Sequence, residues 1–416
     1  MVPAPTSHLP GLTRIIHLSP RAEKMLCRPT TFVHLALLHL FVVLRPPHSL
    51  LSPYRTPPRT VPYFFRTAIS NVGLAPAAVK ILERFKWTKF GAIAENIDRD
   101  TSTMVALLSL AATKGITPTT KQQMFPINGG DDPTPALKTL KEANTKIFMC
   151  QVGPGMARKV FCAAYKLGMT KDDTQWVIPS WFGPKWWRVP SAAVDCTAEE
   201  MDEATRGYLG YEQKGQSLRS LLTPAKETPA AFTTRYVKAA KTFKHASSYP
   251  AGGIGIHQGG YMAYDAVWAW AYALHDVTVT RQAFYQLSFE DLAKDGTGGQ
   301  DALKDALYRT NFQGVSGQVT FDPKTADREG LSISIENNQN GTDVEVMVLN
   351  PDNTLYVTPG VDVVWRSSTP DGKGGYVKTG MLHKPDDGSQ RVIQVQLSML
   401  DDTDNGFGLV KPCKLR

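Results

Sequence analysis

Cysteine is scarce in this chain of 416 residues, and none of its five cysteines form a C-x-x-C pair. Common metal sites use cysteine ligands at C-x-x-C spacing, and the chain has no such pair, so we expect no metal ion. Long apolar runs are also missing. The longest covers residues 31–44, whereas a helix that spans a membrane needs about 20 apolar residues. No segment is therefore expected to cross a membrane unaided.

Acidic residues are nearly absent from residues 1–60, which carry one, Glu23, against seven basic residues: Arg14, Arg21, Lys24, Arg28, Arg45, Arg55 and Arg59. The net charge of the chain is +8, so removing this excess of six leaves about +2. Basic residues that bind nucleic acid lie on one folded face. A basic leader therefore excludes a nucleic-acid partner. Residues 25–44 have the layout of a signal peptide without a clear cleavage site, so a signal peptide or anchor, a disordered leader and a faulty gene start all remain open.

The usual enzyme motifs are missing too. The stretch GGIGIHQGG at 252–260 has Gln258 at the third glycine position of a dinucleotide loop, and no strand precedes it. His257 within it is typical of a turn residue. Neither a phosphate-binding GxxxxGK[ST] loop nor HExxH nor GxSxG occurs. We therefore expect no catalysis and no cofactor. An α/β enzyme with a divergent site is a third-ranked alternative.

What the chain does have, from residue 76 onward, is a regular alternation of short apolar strands and longer helices. The predicted strands are 90–95, 146–152 and 175–180, and the predicted helices are 76–87, 100–115, 133–144 and 156–168. This alternation is typical of a parallel sheet with helices on both faces. Helices then dominate about 225–312, period-2 strands follow at 317–322, 331–337 and 343–349, and 367–416 looks like a tail.

Two stretches at predicted strand ends are candidates for ligand binding. The turn GPG at 153–155 precedes a helix, whose N-terminus attracts anions such as carboxylates, although a plain tight turn explains it as well. The stretch DTQWVIPSWFGPKWW at 173–187 holds four tryptophans. Trp176 lies in the strand and is predicted to be core. Trp181 follows the strand's carboxyl end, where open α/β sheets bind ligands, and Trp186 and Trp187 are predicted to pack the following loop.

Seven segments carry a family resemblance in matching order: 63–67, 82–93, 156–169, 175–187, 196–201, 263–274 and 311–322. Together they resemble the extracellular domain of metabotropic GABA-B receptors, the Venus-flytrap module of class C G-protein-coupled receptors. The resemblance covers about 61–366. It implies a two-lobed α/β fold of the type I periplasmic-binding-protein class. In such a fold a small amino-acid-like ligand binds in a cleft, and closure of the lobes is the signal.

The resemblance also implies a division into lobes. Lobe 2 would comprise about 72–215 and 316–366 and be complete. Lobe 1 would keep about 222–312 and be truncated at its N-terminus, which suggests a fragment or an incomplete gene model. The seven-helix domain of such receptors is absent after Arg416, so coupling to a G protein is expected only through a domain outside this chain.

Of the family's ligand positions that can be compared, one is kept. Trp181 matches, whereas Ala68, Gly153 and Gly259 replace a histidine, a tyrosine and an acid. The candidate ligand-binding set is Trp181, its neighbour Ser180, Gly153 and Gly259. These losses argue against binding of GABA itself, since each missing polar partner removes roughly 1–3 kcal/mol of recognition.

The resemblance implies further features of an extracellular receptor subunit. Cys162 and Cys196 would form the family's disulfide, and Asn340 opens a glycosylation sequon. The expected assembly is a homo- or heterodimer of receptor subunits on the extracellular side of the plasma membrane. The residues do not decide between a ligand-binding and a dimerising subunit. A soluble or anchored amino-acid-binding protein without a seven-helix domain is the alternative.

Overall fold

The computed structural model describes most of the chain beyond residue 62, in the ranges 63–120, 125–127, 132–241, 258–294, 296–367 and 384–388. The leader at 1–60, His257 and nearly all of the tail at 367–416 lie outside the described residues.

Helices and strands alternate in the first unit as the sequence predicts. Its helices are α1 Ala75–Arg84, α2 Asp98–Thr113, α3 Thr134–Glu142, α4 Pro154–Lys166 and α5 Ala198–Thr205. Its first strands are β1 Lys89–Glu95, β2 Thr117–Pro118, β3 Phe125–Ile127, β4 Ile147–Gln151, β5 Gln175–Pro179 and β6 Leu209–Gln213. Helix α2 begins two residues before its predicted start, and Ile97 precedes it without a capping hydrogen bond. Acidic residues in the first turn, Asp98 and Asp100, favour the helix dipole instead.

The main sheet is parallel in its first part and antiparallel in its last. Strand β1 pairs in parallel with β2 and β3 on one side and with β4 on the other, and β5 and β6 continue beyond β4. The chain thus turns back past β1 between β3 and β4, which creates a topological switch point between β1 and β4. Three antiparallel strands complete the sheet: β9 Ile333–Gln339, β10 Thr342–Leu349 and β11 Leu355–Val357.

Hydrophobic cores cover both faces of this sheet, as expected for a largely parallel sheet. Helices α1 and α2 pack on one face, and α3, α4 and α5 pack on the other. Trp176 is fully buried in the second core and stacks on Phe148 with ring centroids 4.4 Å apart. Trp186 and Trp187 are also buried in that core, so the tryptophan-rich stretch is largely structural.

A second unit is mostly helical. It contains α6 Pro229–Lys241, α7 Gln258–His275, α8 Gln282–Tyr285, α9 Gly299–Tyr308 and a hairpin of β7 Phe312–Gly314 with β8 Gly317–Val319. Its core joins α7 and α9 to the hairpin. Val267 on α7 is 38% exposed, and Trp268 and Trp270 are half-buried.

The two units are joined by three chain segments that lie side by side. Residues 66–69, 213–217 and 326–332 bond to one another through backbone groups, for example Arg328 N–H to the Arg66 carbonyl at 2.9 Å and Lys214 N–H to the Ser332 carbonyl at 2.8 Å. Asp265 of α7 lies 3.6 Å from Arg328, and both side chains are fully buried. This joint places the carboxyl end of β6 next to the start of α7.

Candidate functional site

The switch point brings Glu95 and Gly153 together. Glu95 ends β1, Gly153 follows β4, and the Gly153 N–H donates to Glu95 Oε2 at 3.0 Å. Gly153 is also the N-cap residue of α4, immediately before its first residue. The predicted anion position at this helix N-terminus therefore exists, but the chain's own Glu95 carboxylate fills it, where the helix dipole favours negative charge.

Arg99 of α2 connects Glu95 to a second carboxylate. Its guanidinium donates twice to Asp100, with Nε to Oδ1 and Nη2 to Oδ2 both at 2.7 Å. The same Nη2 lies 4.0 Å from Glu95 Oε2. Burial raises the pKa of Asp100, and the Arg99 hydrogen bond and charge oppose that shift. We call Glu95, Arg99 and Asp100 the Arg99 network.

Trp181 lies directly over this network. The guanidinium carbon of Arg99 is 5.2 Å from the centroid of the Trp181 ring, a cation–π distance. Phe182 contacts the same ring edge-on at 5.0 Å. Trp181 is half-buried just past the carboxyl end of β5, beside the switch point. Arg99 contacts its ring from the side of α2.

Glycine at position 153 is a spatial requirement of this arrangement. A Cβ atom there would lie 3.1 Å from Arg99 Nη2 and 3.4 Å from Glu95 Oε2. A larger side chain would have to displace one of them. The guanidinium of Arg99 thus occupies the space next to Trp181 that a residue-153 side chain would enter.

Ser180 points the other way, toward the antiparallel end of the sheet. Its side chain is buried. It lies against Gly210 of β6, where an added Cβ would come within 2.5 Å of Ser180 Cβ. Gly210 pairs with Glu336 of β9, so Ser180 is directed toward the Glu336 carboxyl, whose pKa it lowers against the effect of burial.

Gly259 stands apart from the other three candidates, in the first turn of α7 in the second unit. Its neighbour Gln258 reaches the sheet, where Nε2 donates to Glu212 Oε1 at 3.0 Å. The structure therefore groups Gly153, Trp181 and Ser180 on the sheet and brings Gly259 toward them from across the joint.

Sequence reasoning missed the charged residues of the site: Glu95, Arg99, Asp100, Glu212 and Glu336. A signal for some of them was present, because Glu95 and Glu212 stand at or near the carboxyl ends of predicted or observed parallel strands, where ligand sites form. Which residues these acids contact, in contrast, depends on the three-dimensional fold and cannot be predicted from the local sequence.

Two features implied by the family resemblance have clear positions. Cys162 of α4 and Cys196, just before α5, form a disulfide. Asn340 and Gly341 form the exposed turn between β9 and β10, both with positive φ, as two-residue hairpin turns require. The described cysteine outside the disulfide, Cys150, is buried in the sheet.

Comparison with known proteins decides the family. The model of the receptor family ligand binding region matches residues 27–339, about three quarters of the chain. The chain belongs to this family. Its α/β sheet with helices on both faces fits the two-lobed, periplasmic-binding-protein-like fold. The match begins upstream of residue 61 and ends before residue 366, the bounds that the resemblance predicts.

Two of the relatives are subunits of the gamma-aminobutyric acid type B receptor. Gamma-aminobutyric acid type B receptor subunit 2 of Rattus norvegicus is 29% identical over 290 residues, which is 68% of this chain and 29% of the relative. Subunit 1 of Mus musculus is 30% identical over 261 residues, or 63% of this chain and 26% of the relative. The chain is thus similar to the ligand-binding regions of these receptors and spans less than a third of their length. Within the described residues, the helices are too short or too polar to cross a bilayer.

Proposed function

We propose that this chain is the ligand-binding module of a receptor of the GABA-B type and that it holds a small amino-acid-like ligand between its two units. The observation that carries this proposal is the position of Trp181. It matches the ligand-site tryptophan that the family resemblance implies, and it lies past the carboxyl end of β5, beside the switch point of an open α/β sheet, where such sheets bind ligands. The role is binding without chemical conversion of the ligand.

The Arg99 network suits the task of binding a small polar ligand. Arg99 is held in place by Asp100 and by the Trp181 ring, so its positive charge is fixed next to Trp181 with little side-chain entropy left to lose when a ligand carboxylate approaches. Trp181 offers an apolar face to the ligand's carbon chain. A ligand that contacts both units binds the closed arrangement more tightly, and this difference in affinity shifts the population toward closure.

A second role is favoured by two positions that carry no side chain. Gly153 and Gly259 stand where the GABA-binding subunit has ligand-contacting residues, and the relatives include both subunit 1 and subunit 2. A module that has lost these contacts would serve as the dimerising partner subunit. Coupling to a G protein would then depend on the rest of the receptor.

The proposed location is the extracellular side of the plasma membrane. The Cys162–Cys196 disulfide supports an oxidising compartment. The exposed turn position of Asn340 supports access of glycosylating enzymes to its sequon.

Titration calorimetry of the full chain with gamma-aminobutyric acid, glutamate and a panel of other amino acids tests the binding role. We expect saturable heat with at least one of them. Trp181→Ala should weaken that binding by roughly 10-fold or more, since stacking contacts of this kind contribute about 1–2 kcal/mol. Trp181→Phe should keep part of the affinity because it keeps an aromatic face.

Phe289→Ala is the matched control, because Phe289 is 64% exposed and lies in the second unit away from the sheet. It should bind like the unchanged chain. Absence of heat with every amino acid would refute the binding role. Analytical ultracentrifugation would then show whether the chain associates as the partner-subunit role requires.

A further inference from the structure

We propose that residues 384–388 form a strap that fastens the C-terminal part of the chain to the base of the first unit, and that Asp387 anchors this strap. The base is the edge of the main sheet at which its parallel strands begin. Trp87 and Thr88 lie there, directly before β1, whereas Trp181 lies past the carboxyl end of β5. The strap therefore adjoins the end of the sheet opposite the candidate ligand site, and the proposal does not depend on a ligand.

The carboxylate of Asp387 makes the main contact between the strap and the first unit. Its Oδ2 atom accepts from the Thr88 N–H, from the Lys89 N–H at 3.0 Å and from the Thr88 hydroxyl at 3.2 Å. Asp387 is only 5% exposed. Hydrogen bonds to a charged group are stronger than those between neutral groups, and a buried donor that loses its acceptor is costly. Asp387 is thus positioned to hold the strap on the turn before β1.

The indole of Trp87 makes a second contact with the strap. Its Nε1–H donates to the Pro385 carbonyl at 2.7 Å, and Nζ of Lys384 lies 5.6 Å from the centroid of the ring. Trp87 is 1% exposed, and a buried indole N–H requires an acceptor. The strap supplies that acceptor.

Two adjacent acids of the strap have different contacts. Asp386 is exposed, and its Oδ1 accepts from the Gly388 N–H at 2.6 Å, within the strap itself. Asp387 is buried and bonds to the first unit. The carboxylate of Asp387, and not the general acidity of the segment, therefore carries the attachment.

The chain is already fixed once before it reaches the strap. Trp365 packs against Trp87 with ring centroids 6.1 Å apart, and the buried Arg366 donates to the Thr170 carbonyl at 2.9 Å. Trp365 and the strap thus meet at the same tryptophan, so the segment between them has both its ends on the first unit. The first unit therefore extends beyond residue 366 to the end of the strap.

The strap opens without unfolding of the first unit. Its contacts described above involve one turn and one indole, whereas hydrophobic cores cover both faces of the main sheet. Segments with few buried contacts open at a lower free energy than core strands. While the strap is closed, the residues that follow Gly388 are held at the base of the unit, and opening releases them. Asp387 therefore sets how firmly the C-terminal part of the chain follows the movements of the first unit.

Hydrogen–deuterium exchange of the full chain, without ligand and measured by mass spectrometry, tests the strap. Asp387→Ala should speed exchange of the Thr88 and Lys89 amides by roughly tenfold or more, because it removes the oxygen to which both donate. Asp387→Asn keeps the size of the side chain and one acceptor oxygen, so its effect should be smaller. Exchange in β4, a core strand, should stay unchanged in both variants.

Asp386→Ala is the matched control, because it removes the same type of side chain from the neighbouring, exposed position. Its Thr88 and Lys89 amides should exchange as in the unchanged chain. Exchange should also stay the same when the protein is diluted, since the strap and the turn belong to one molecule.

Three results would overturn the proposal. Unchanged exchange of the two amides in Asp387→Ala would show that Asp387 does not anchor the strap. Protection that is lost on dilution would show that a second copy of the chain supplies the segment. Faster exchange in β4 as well would show that Asp387 stabilises the whole unit and that the strap does not open separately.

Discussion

The guanidinium group of Arg99 interacts with three residues of the candidate site. It bonds to Asp100, lies near Glu95 and stacks on Trp181, while its own side chain is only 11% exposed. Asp100 is 4% exposed, so this pair is shielded from water on nearly all sides. A shielded carboxylate without its partner is costly, which makes Arg99 a structural residue as well as a proposed ligand contact.

Arg99→Ala should lower the free energy of unfolding by about 2–4 kcal/mol, because it leaves the Asp100 carboxylate buried and unpaired. Urea denaturation followed by tryptophan fluorescence measures the loss. The double variant Arg99→Ala, Asp100→Asn should recover a large part of it, since it removes the stranded charge as well.

Arg188→Ala serves as the exposed comparison for this prediction. The Arg188–Asp202 pair is 46% and 39% exposed, and exposed pairs contribute less than about 1 kcal/mol. Equal losses for the Arg99 and Arg188 variants would contradict the assignment of Arg99 to a shielded network.

At the scale of elements, the alternation of apolar strands and amphipathic helices was enough to predict the first unit. Strand β4 and helix α4 lie within a residue or two of their predicted bounds because burial of every β4 side chain enforces a continuous apolar run. The position of Trp181 beyond β5 followed from the same pattern. The local sequence alone is therefore enough to predict the bounds of these elements and the position of Trp181.

The proximity of Glu212 to Glu336 and the Arg99 network were not predictable in the same way. Glu336 meets Glu212 because β9 pairs with β6 in an antiparallel register, although the two strands are far apart in the chain. Gly153 meets Arg99 because β1 and β4 are neighbours at the switch point. Such contacts depend on strand order, which residue patterns within one segment do not contain.

The disulfide between α4 and the segment before α5 is expected to contribute to the stability of the chain. It links Cys162 to Cys196 across 34 residues, and Thr197 next to it forms a capping box with Glu200 at the start of α5. Cys162→Ser with Cys196→Ser should lower the free energy of unfolding by about 3–4 kcal/mol, since the unfolded chain gains the entropy of an open loop.

Chemical denaturation with and without dithiothreitol checks this expectation. The unchanged chain in reductant should match the double serine variant, and reductant should not affect the variant. A variant as stable as the oxidised chain would show that the bond contributes no stability.

At the scale of the whole molecule, the buried Asp265–Arg328 pair connects α7 to the joint. Asp265 accepts from the Val315 N–H at 2.8 Å and the Ser316 N–H at 2.9 Å, and Arg328 donates to the Gln318 carbonyl at 3.0 Å and the Thr67 carbonyl at 3.3 Å. Burial raises the pKa of Asp265 against the effect of Arg328. The pair therefore fixes the second unit to the segments that cross between the units.

Asp265→Ala should destabilise the chain by about 3–5 kcal/mol, because Arg328 would remain buried without its counter-charge. Asp265→Leu with Arg328→Met should cost much less, since both charges are removed together. Calorimetric unfolding distinguishes these cases, and we expect the single variant to unfold its second unit at a lower temperature than the main sheet. One unshifted transition for the single variant would contradict this role.

The three side-by-side crossing segments also limit how the two units can move. A single connection would allow twisting and sliding, whereas three parallel connections that bond to one another permit little except bending about the line they share. The relative position of the units then reduces to one angle. Under the proposed function, ligand contacts at Trp181 set that angle, and a structure attached to both units senses occupancy of the site as a rotation.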